Sequence, residues 1–235
     1  MTISPRKKAF LKRRFYRRLF ALTVLISIIV LTTFIFMKSS RNYIFTICID
    51  AGHGGYDPGA MNQTLKVNEK DLVLDVSLKL GEILEKQDVK VIYTREKDKI
   101  PWTTQRESLQ GRSEISNKSN ADIFISIHVN NFPKSSKVNG TEIWCRFKDT
   151  EDAILATEIN SRLSAMNYTR DRGLRYESDK KLFVLRNTNA TSVLVELGYI
   201  SNPQDLEFLM SEENRLKCAE AIAEAIMSYY SQRDS

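Results

Sequence analysis

Only two histidines, His53 and His128, occur in the 235 residues, and each closes a strand-like run. His53 follows the apolar run Ile44 to Asp50 inside Ala51-Gly52-His53-Gly54-Gly55, whose glycines let the backbone turn tightly and leave the imidazole unshielded. His128 ends Ile123-Phe124-Ile125-Ser126-Ile127. Two carboxylates join them. Glu69 lies three, four and seven residues before Leu72, Val73 and Val76, so it shares the inward face of a helix, where a carboxylate needs a partner. Interaction with the helix dipole is the simpler alternative for it. Glu196 interrupts the buried-type run Ser192-Val193-Leu194-Val195 and Leu197, where an unpaired charge costs several kcal/mol. The nearest base in sequence is Arg186, ten residues away, so a buried ion pair stays open as its explanation.

Two imidazoles and one carboxylate, with a fourth position open to water, form a common catalytic zinc shell. His53, Glu69 and His128 are the candidate ligands. Zinc lowers the pKa of the water it holds towards about 7, and a second glutamate, here Glu196, takes up the proton as a carbonyl is attacked. That chemistry is hydrolysis of an amide or ester. The spacing matches no local zinc motif such as HExxH. Cys48, Cys145 and Cys218 lack CxxC spacing, cannot all pair within one chain, and read as small buried hydrophobes.

The elements that must position these groups alternate. Ile44 to Asp50 reads as a strand, followed by a helix with Leu72, Val73, Val76, Leu80, Ile83 and Leu84 at helical spacing and Asn68 as its cap. A strand at Val89 to Tyr93, a polar helix at Thr103 to Ser119 and a buried strand at Asp122 to His128 come next. A strand at Thr141 to Phe147 and a helix at Glu151 to Met166 follow, then a last strand at Ser192 to Leu197 and a closing helix from Glu212 to Tyr230. The expectation is an α/β fold, one domain over 44–235 with a mostly parallel twisted sheet flanked by helices, with mixing at an edge left open.

Charge separates a second region. Residues 1–49 hold ten Lys or Arg and no acid, which leaves 25 bases against 29 acids from Asp50 onward. The folded part is therefore mildly acidic, and no basic face for nucleic acid is expected. Residues 1–18 form a basic cytoplasmic segment. Leu19 to Met37, 19 uncharged residues, matches the length of a transmembrane helix. Residues 38–43 are a linker. Basic residues stay inside, so the chain crosses the cytoplasmic membrane once, with its catalytic domain on the extracytoplasmic face. A cleaved signal peptide is disfavoured by the long apolar run and by Met-Lys-Ser-Ser-Arg, a poor cleavage site.

Four segments carry a resemblance: Ile49 to Gly55, Glu69-Lys70, Ser126-Ile127-His128-Val129-Asn130 and Val195 to Asn202. Together, and in this order over about residues 44–230, they resemble the N-acetylmuramoyl-L-alanine amidases of the Amidase_3 family. The resemblance implies cleavage of the amide between the lactyl group of N-acetylmuramic acid and the L-alanine of the stem peptide, with peptidoglycan as substrate. It implies zinc held by His53, Glu69 and His128 and a catalytic Glu196. Ala51 stands where Pro is frequent, and Asn131 where a small residue often follows; neither removes a ligand. Arg112 corresponds to a frequent arginine, with a solvated helix-face charge as the equal alternative. Asn130 could orient a ligand or touch glycan. No long inhibitory insertion fits between Glu69 and the next strand, so control falls to expression, location or an activating partner protein. The short, singly anchored layout is similar to that of spore-cortex amidases, which prepare muramic-δ-lactam for germination. That would put the domain in the forespore intermembrane space. Vegetative wall remodelling, daughter-cell separation and a degenerate peptidoglycan-binding protein are the alternatives.

Overall fold

Strands form where uncharged, β-branched runs are covered on both sides. The computed structural model describes residues 5–39 and 42–233, in two units, Met1–Asn42 and Tyr43–Ser235, each described by itself. The expected linker at 38–43 includes residues 40 and 41, which lie outside the described residues, as do residues 1–4 and 234–235.

The first unit is one helix, α1 (Pro5–Ser39). Its segment Lys12–Thr33 has a mean hydropathy of 1.8 and, at 22 residues, is long enough to cross a bilayer. The hydroxyls of Thr23, Ser27, Thr32 and Thr33 donate to backbone carbonyls three or four residues earlier, so these four hydroxyls are satisfied within the helix.

The second unit contains β1 (Thr46–Ala51), a short hairpin of β2 (Met61–Asn62) and β3 (Val67–Asn68), α2 (Glu69–Glu85), β4 (Lys90–Tyr93), α3 (Gln105–Lys118) and β5 (Ile123–Asn130). It continues with β6 (Thr141–Cys145), α4 (Glu151–Ala165), β7 (Asp171–Tyr176), α5 (Phe183–Arg186), β8 (Thr191–Tyr199), α6 (Pro203–Met210) and α7 (Glu212–Arg233). One six-stranded sheet has the order β4-β1-β5-β8-β6-β7. The first four strands are parallel. β6 runs antiparallel to β8, and β7 is parallel to β6, so the reversal takes in two strands rather than a single edge strand.

Strand alternation splits the sheet into two faces. Ile47, Ile49, Ile125, Ile127, Val193, Val195 and Ile143 face α2, α4 and α7, whose stripes, such as Val73, Val76 and Leu80 or Ile222 and Ile226, close the main core. The opposite face starts apolar, with Cys48, Phe124 and Leu194 against α3 and α5. Towards the carboxyl ends of the strands the same face turns polar, through Asp50, Ser126, His128 and Glu196. The chain leaves β1 through α2 to β4 on one side, then returns through α3 to β5 on the other. This reversal of strand order opens a crevice beyond the carboxyl ends of β1 and β5.

Asn68 is the N-cap residue of α2 as expected, yet its side chain accepts no cap hydrogen bond; its Nδ2 donates to Asp71. Helix α3 instead carries a full capping box, Thr104 with Glu107.

Candidate metal centre and cleft

Both histidines stand at the crevice. His53 follows β1 in a turn where its own φ is +62°, a left-handed conformation uncommon outside glycine. His128 lies inside β5, two residues before its end. Glu69 opens α2 and reaches over the end of the sheet to both. Its Oε1 is 3.2 Å from His53 Nε2 and 2.9 Å from His128 Nδ1. One ligand atom from each of the three residues lies within 4.8 Å of the others. The two rings meet edge to face, centroids 4.9 Å apart.

The carboxylate is also held by backbone: Ala60 N donates to Oε2 at 2.8 Å and Val129 N to Oε1 at 3.0 Å. Glu69 is therefore fixed across three segments instead of simply facing its own helix dipole. Two glycines make room for it and its partners. A Cβ on Gly59, whose φ is +67°, would stand 2.6 Å from Glu69 Oε2 and 2.7 Å from His53 Cδ2, and one on Gly52 would run into the His128 ring.

Burial opposes the charge on Glu69, but hydrogen bonds and charge from His128 and His53 outweigh it and hold the carboxyl well below the usual range. Burial likewise opposes protonation of His53; Glu69 and Asp57 overcome it and raise this imidazole above its ordinary value. At His128 burial wins, and the ring is held neutral more readily than a free imidazole.

Glu196 faces the same cleft, a cavity of about 510 Å³ bordered also by Asn130, Lys180 and Phe183. It pairs in register with His128 on β5 and with Glu142 on β6, so the three side chains share one face of the sheet. Its Oε2 is buried with no hydrogen-bond partner among the described residues. Burial first, then the charges of Glu69 and Glu142, push this carboxyl well above the usual carboxylate range. Arg186 is not its partner; that guanidinium pairs with Glu177 at 2.6 Å.

Two neighbours of the site, Asp57 and Glu142, escaped the sequence reading, and for a third, Arg112, the structure decides between the two alternatives. Asp57 Oδ2 bonds His53 Nδ1 at 2.8 Å, orienting the ring so that Nε2 faces Glu69. Its only sequence signal is the four-residue spacing from His53. Glu142 is buried, bonded by Arg172 Nε at 2.6 Å and Tyr199 Oη at 3.0 Å. Arg112 is not a solvated helix charge: it is buried and grips Asp50, with Nε to Oδ1 at 2.7 Å and Nη2 on Oδ2. The same Nη2 lies 3.4 Å from His128 Nε2. Asn130 turns its Nδ2 to Glu142 at 3.4 Å. All three cysteines are free and buried.

The family profile described as N-acetylmuramoyl-L-alanine amidase matches residues 47–228. A probable cell wall amidase of Staphylococcus saprophyticus, LytH, is 37% identical over 188 residues, 80% of this chain and 59% of the relative, so the chain spans about three fifths of that protein. A germination-specific N-acetylmuramoyl-L-alanine amidase of Bacillus subtilis is 31% identical over 196 residues, 80% of each chain. Among solved structures, the CwlD amidase of Clostridioides difficile in complex with the GerS lipoprotein superimposes with a TM-score of 0.71 at 36% identity, covering 80% of this chain and 98% of that one.

Proposed function

The chain belongs to the Amidase_3 family of N-acetylmuramoyl-L-alanine amidases, and from that premise we propose that it is a zinc-dependent, membrane-tethered hydrolase. It cuts the amide between the lactyl group of N-acetylmuramic acid and the L-alanine of the peptidoglycan stem peptide. The observation that carries the reading is Glu196, whose Oε2 is buried without a hydrogen-bond partner among the described residues, sharing one cleft with the His53, Glu69 and His128 donor atoms.

The donor set suits zinc: two imidazole nitrogens and one carboxylate oxygen, the shell that leaves a position for water or substrate. Glu69, kept ionised, and His128, kept neutral, both present lone pairs. Asp57 orients His53, as outer carboxylates commonly do for metal-binding imidazoles. Zinc held by these three residues supplies Lewis acidity, polarising the scissile carbonyl and making water acidic enough to serve as nucleophile near neutral pH.

The protein's own groups then handle protons. Glu196 takes the proton from the attacking water and delivers it to the alanine nitrogen as the amide bond breaks; its high proton affinity suits the second half of that task. Glu142, anchored by Arg172 and Tyr199, stays beside it. Digesting purified peptidoglycan with the zinc-loaded protein and weighing the muropeptides tests the reaction. Free stem peptides with an L-alanine amino terminus are expected; cut peptide bonds with intact lactyl-alanine linkages would point to a peptidase instead.

The extracytoplasmic side is the site of action, with residues 1–18 inside, 19–37 spanning and 44–235 forming the catalytic domain. We place the enzyme in spore cortex maturation, supported by similarity to the germination-specific amidase over 80% of both chains. Muramic-δ-lactam missing from the cortex of a deletion strain is the expected outcome, and normal levels would move the enzyme to vegetative wall remodelling. An activating partner protein is part of this proposal, supported by the structural neighbour that was solved in complex with a lipoprotein. Zinc occupancy of the purified chain that rises on adding such a partner would identify one.

A further inference from the structure

Lys70 belongs to the Glu69-Lys70 motif, yet the chemistry above gives it no part. Its ammonium reaches back over the His53 turn. Nζ donates to the Gly55 carbonyl at 3.0 Å and to Asp98 Oδ2 at 2.6 Å. Asp98 Oδ1 in turn accepts from Gly55 N at 2.7 Å. On the other flank of His53 the buried Arg95 donates from Nε to the Ala51 carbonyl at 3.0 Å and from Nη2 to the Gly52 carbonyl at 2.8 Å. The same Nη2 also donates to the Lys70 carbonyl at 2.8 Å. Backbone on both sides of His53 is thus stitched to the residue that follows Glu69.

Within the turn, Gly54 and Asp57 exchange backbone hydrogen bonds at 2.9 and 3.1 Å, and Gly52 N donates to the Ile127 carbonyl at 3.0 Å, but none of these bonds reaches α2. His53, Gly54 and Gly55 all have positive φ, at +62°, +120° and +57°. For the histidine that conformation costs free energy that surrounding contacts must offset. Gly54 packs directly on the Arg95 side chain, where a Cβ would come within 2.8 Å of Cδ. Tetrahedral zinc with bonds of about 2.1 Å separates its ligand atoms by about 3.4 Å. The 3.2 Å between His53 Nε2 and Glu69 Oε1 is already close to that spacing.

We propose that Arg95, Lys70 and Asp98 form a clamp that fixes the His53 turn against the first turn of α2, so that two of the three ligands are set before metal arrives. This rests on the zinc reading above. The three are positioning residues, and none touches the reacting atoms. Asp98 acts at the surface, Lys70 is half-buried and Arg95 lies inside.

The test uses the full-length protein in detergent, stripped of metal and titrated with zinc against a competing chelator, alongside the visible spectrum of the cobalt-substituted protein. Asp98→Asn and Lys70→Met are expected to keep the wild-type melting temperature without metal. They should bind zinc about ten- to a hundredfold more weakly, with an altered cobalt band. Arg95→Lys should lose at least as much. Wild-type zinc affinity and cobalt spectrum in both Asp98→Asn and Lys70→Met would overturn the clamp, even if Arg95→Lys failed to fold. A wild-type protein that took up no zinc would instead remove the zinc reading itself.

Discussion

A carboxyl with one oxygen buried and unpaired and two other carboxylates nearby binds a proton more tightly than usual, and Glu196 is in that position. Glu196→Gln preserves shape and removes the proton acceptor, so kcat is expected to fall by about 10²–10⁴-fold with zinc content unchanged. Near-wild-type turnover in a zinc-replete variant would remove Glu196 from the mechanism. Asp50 shows the reverse shift. Burial alone would raise its pKa, but Arg112, Ser126 and Thr94 lower it from 3.8 to about 2. A group whose folded pKa is depressed stabilises the fold above its unfolded value, and that contribution is lost as pH falls through the folded one. About 2 kcal/mol should therefore disappear between pH 3.8 and 2. Arg112→Met leaves the Asp50 charge without its cation and should cost about 3–5 kcal/mol at neutral pH. Denaturant midpoints for both proteins at several pH values would check this, and equal midpoints at pH 7 would contradict it. Arg112 was open to misreading because helix α3 buries Ser108, Arg112, Ser113 and Ser116. An inward face made of polar residues has no apolar period to reveal it.

Elements covered on both sides were legible as runs of Ile, Val and Leu: β1, β5 and β8, and with them the placement of His53, His128 and Glu196. Strand β7, Asp171–Tyr176, was missed because an edge strand need not be apolar, and its sequence DRGLRY contains three charges. The reversal at β6 was illegible for another reason: strand direction depends on which neighbour a strand meets, and that is settled by packing far along the chain. Loop geometry was equally hidden. Nothing in the spacing of Gly59 says that its missing side chain leaves room for Glu69. Two substitutions separate site geometry from element stability. Thr104→Ala breaks the capping box of α3 and should lower stability by about 1 kcal/mol while leaving zinc affinity unchanged. Gly59→Ala places a Cβ against Glu69 and His53 at a φ of +67°, so both ligands must shift and zinc affinity should drop by about tenfold or more, as when groups that orient metal ligands are lost. Zinc titration beside thermal melts reads both effects, and loss of zinc binding in Thr104→Ala would show that the two are not separable.

At the scale of the chain, charge and hydropathy divide the protein where the structure does. Ten bases and no acids precede Asp50. The apolar segment Lys12–Thr33 belongs to the unit Met1–Asn42, while every residue of the metal centre and cleft belongs to Tyr43–Ser235. The second unit buries its own core, with Ile47, Phe124, Ile125, Val195 and Ile222 fully enclosed, so its stability owes nothing to a bilayer. A protein lacking residues 1–41 is therefore expected to melt at the same temperature as the full chain, to bind zinc equally well and to cleave soluble muropeptides at the same rate. What it should lose is location: fractionation ought to find it in the soluble extract rather than with membranes, and complementation of a deletion strain should fail. Persistent membrane association of the shortened protein would mean that the catalytic unit carries a membrane-binding surface of its own. A lower melting temperature would mean that the two units are energetically coupled. If location alone changes, the helix acts purely as a tether, and its contribution to activity is the local concentration of a wall hydrolase next to its substrate.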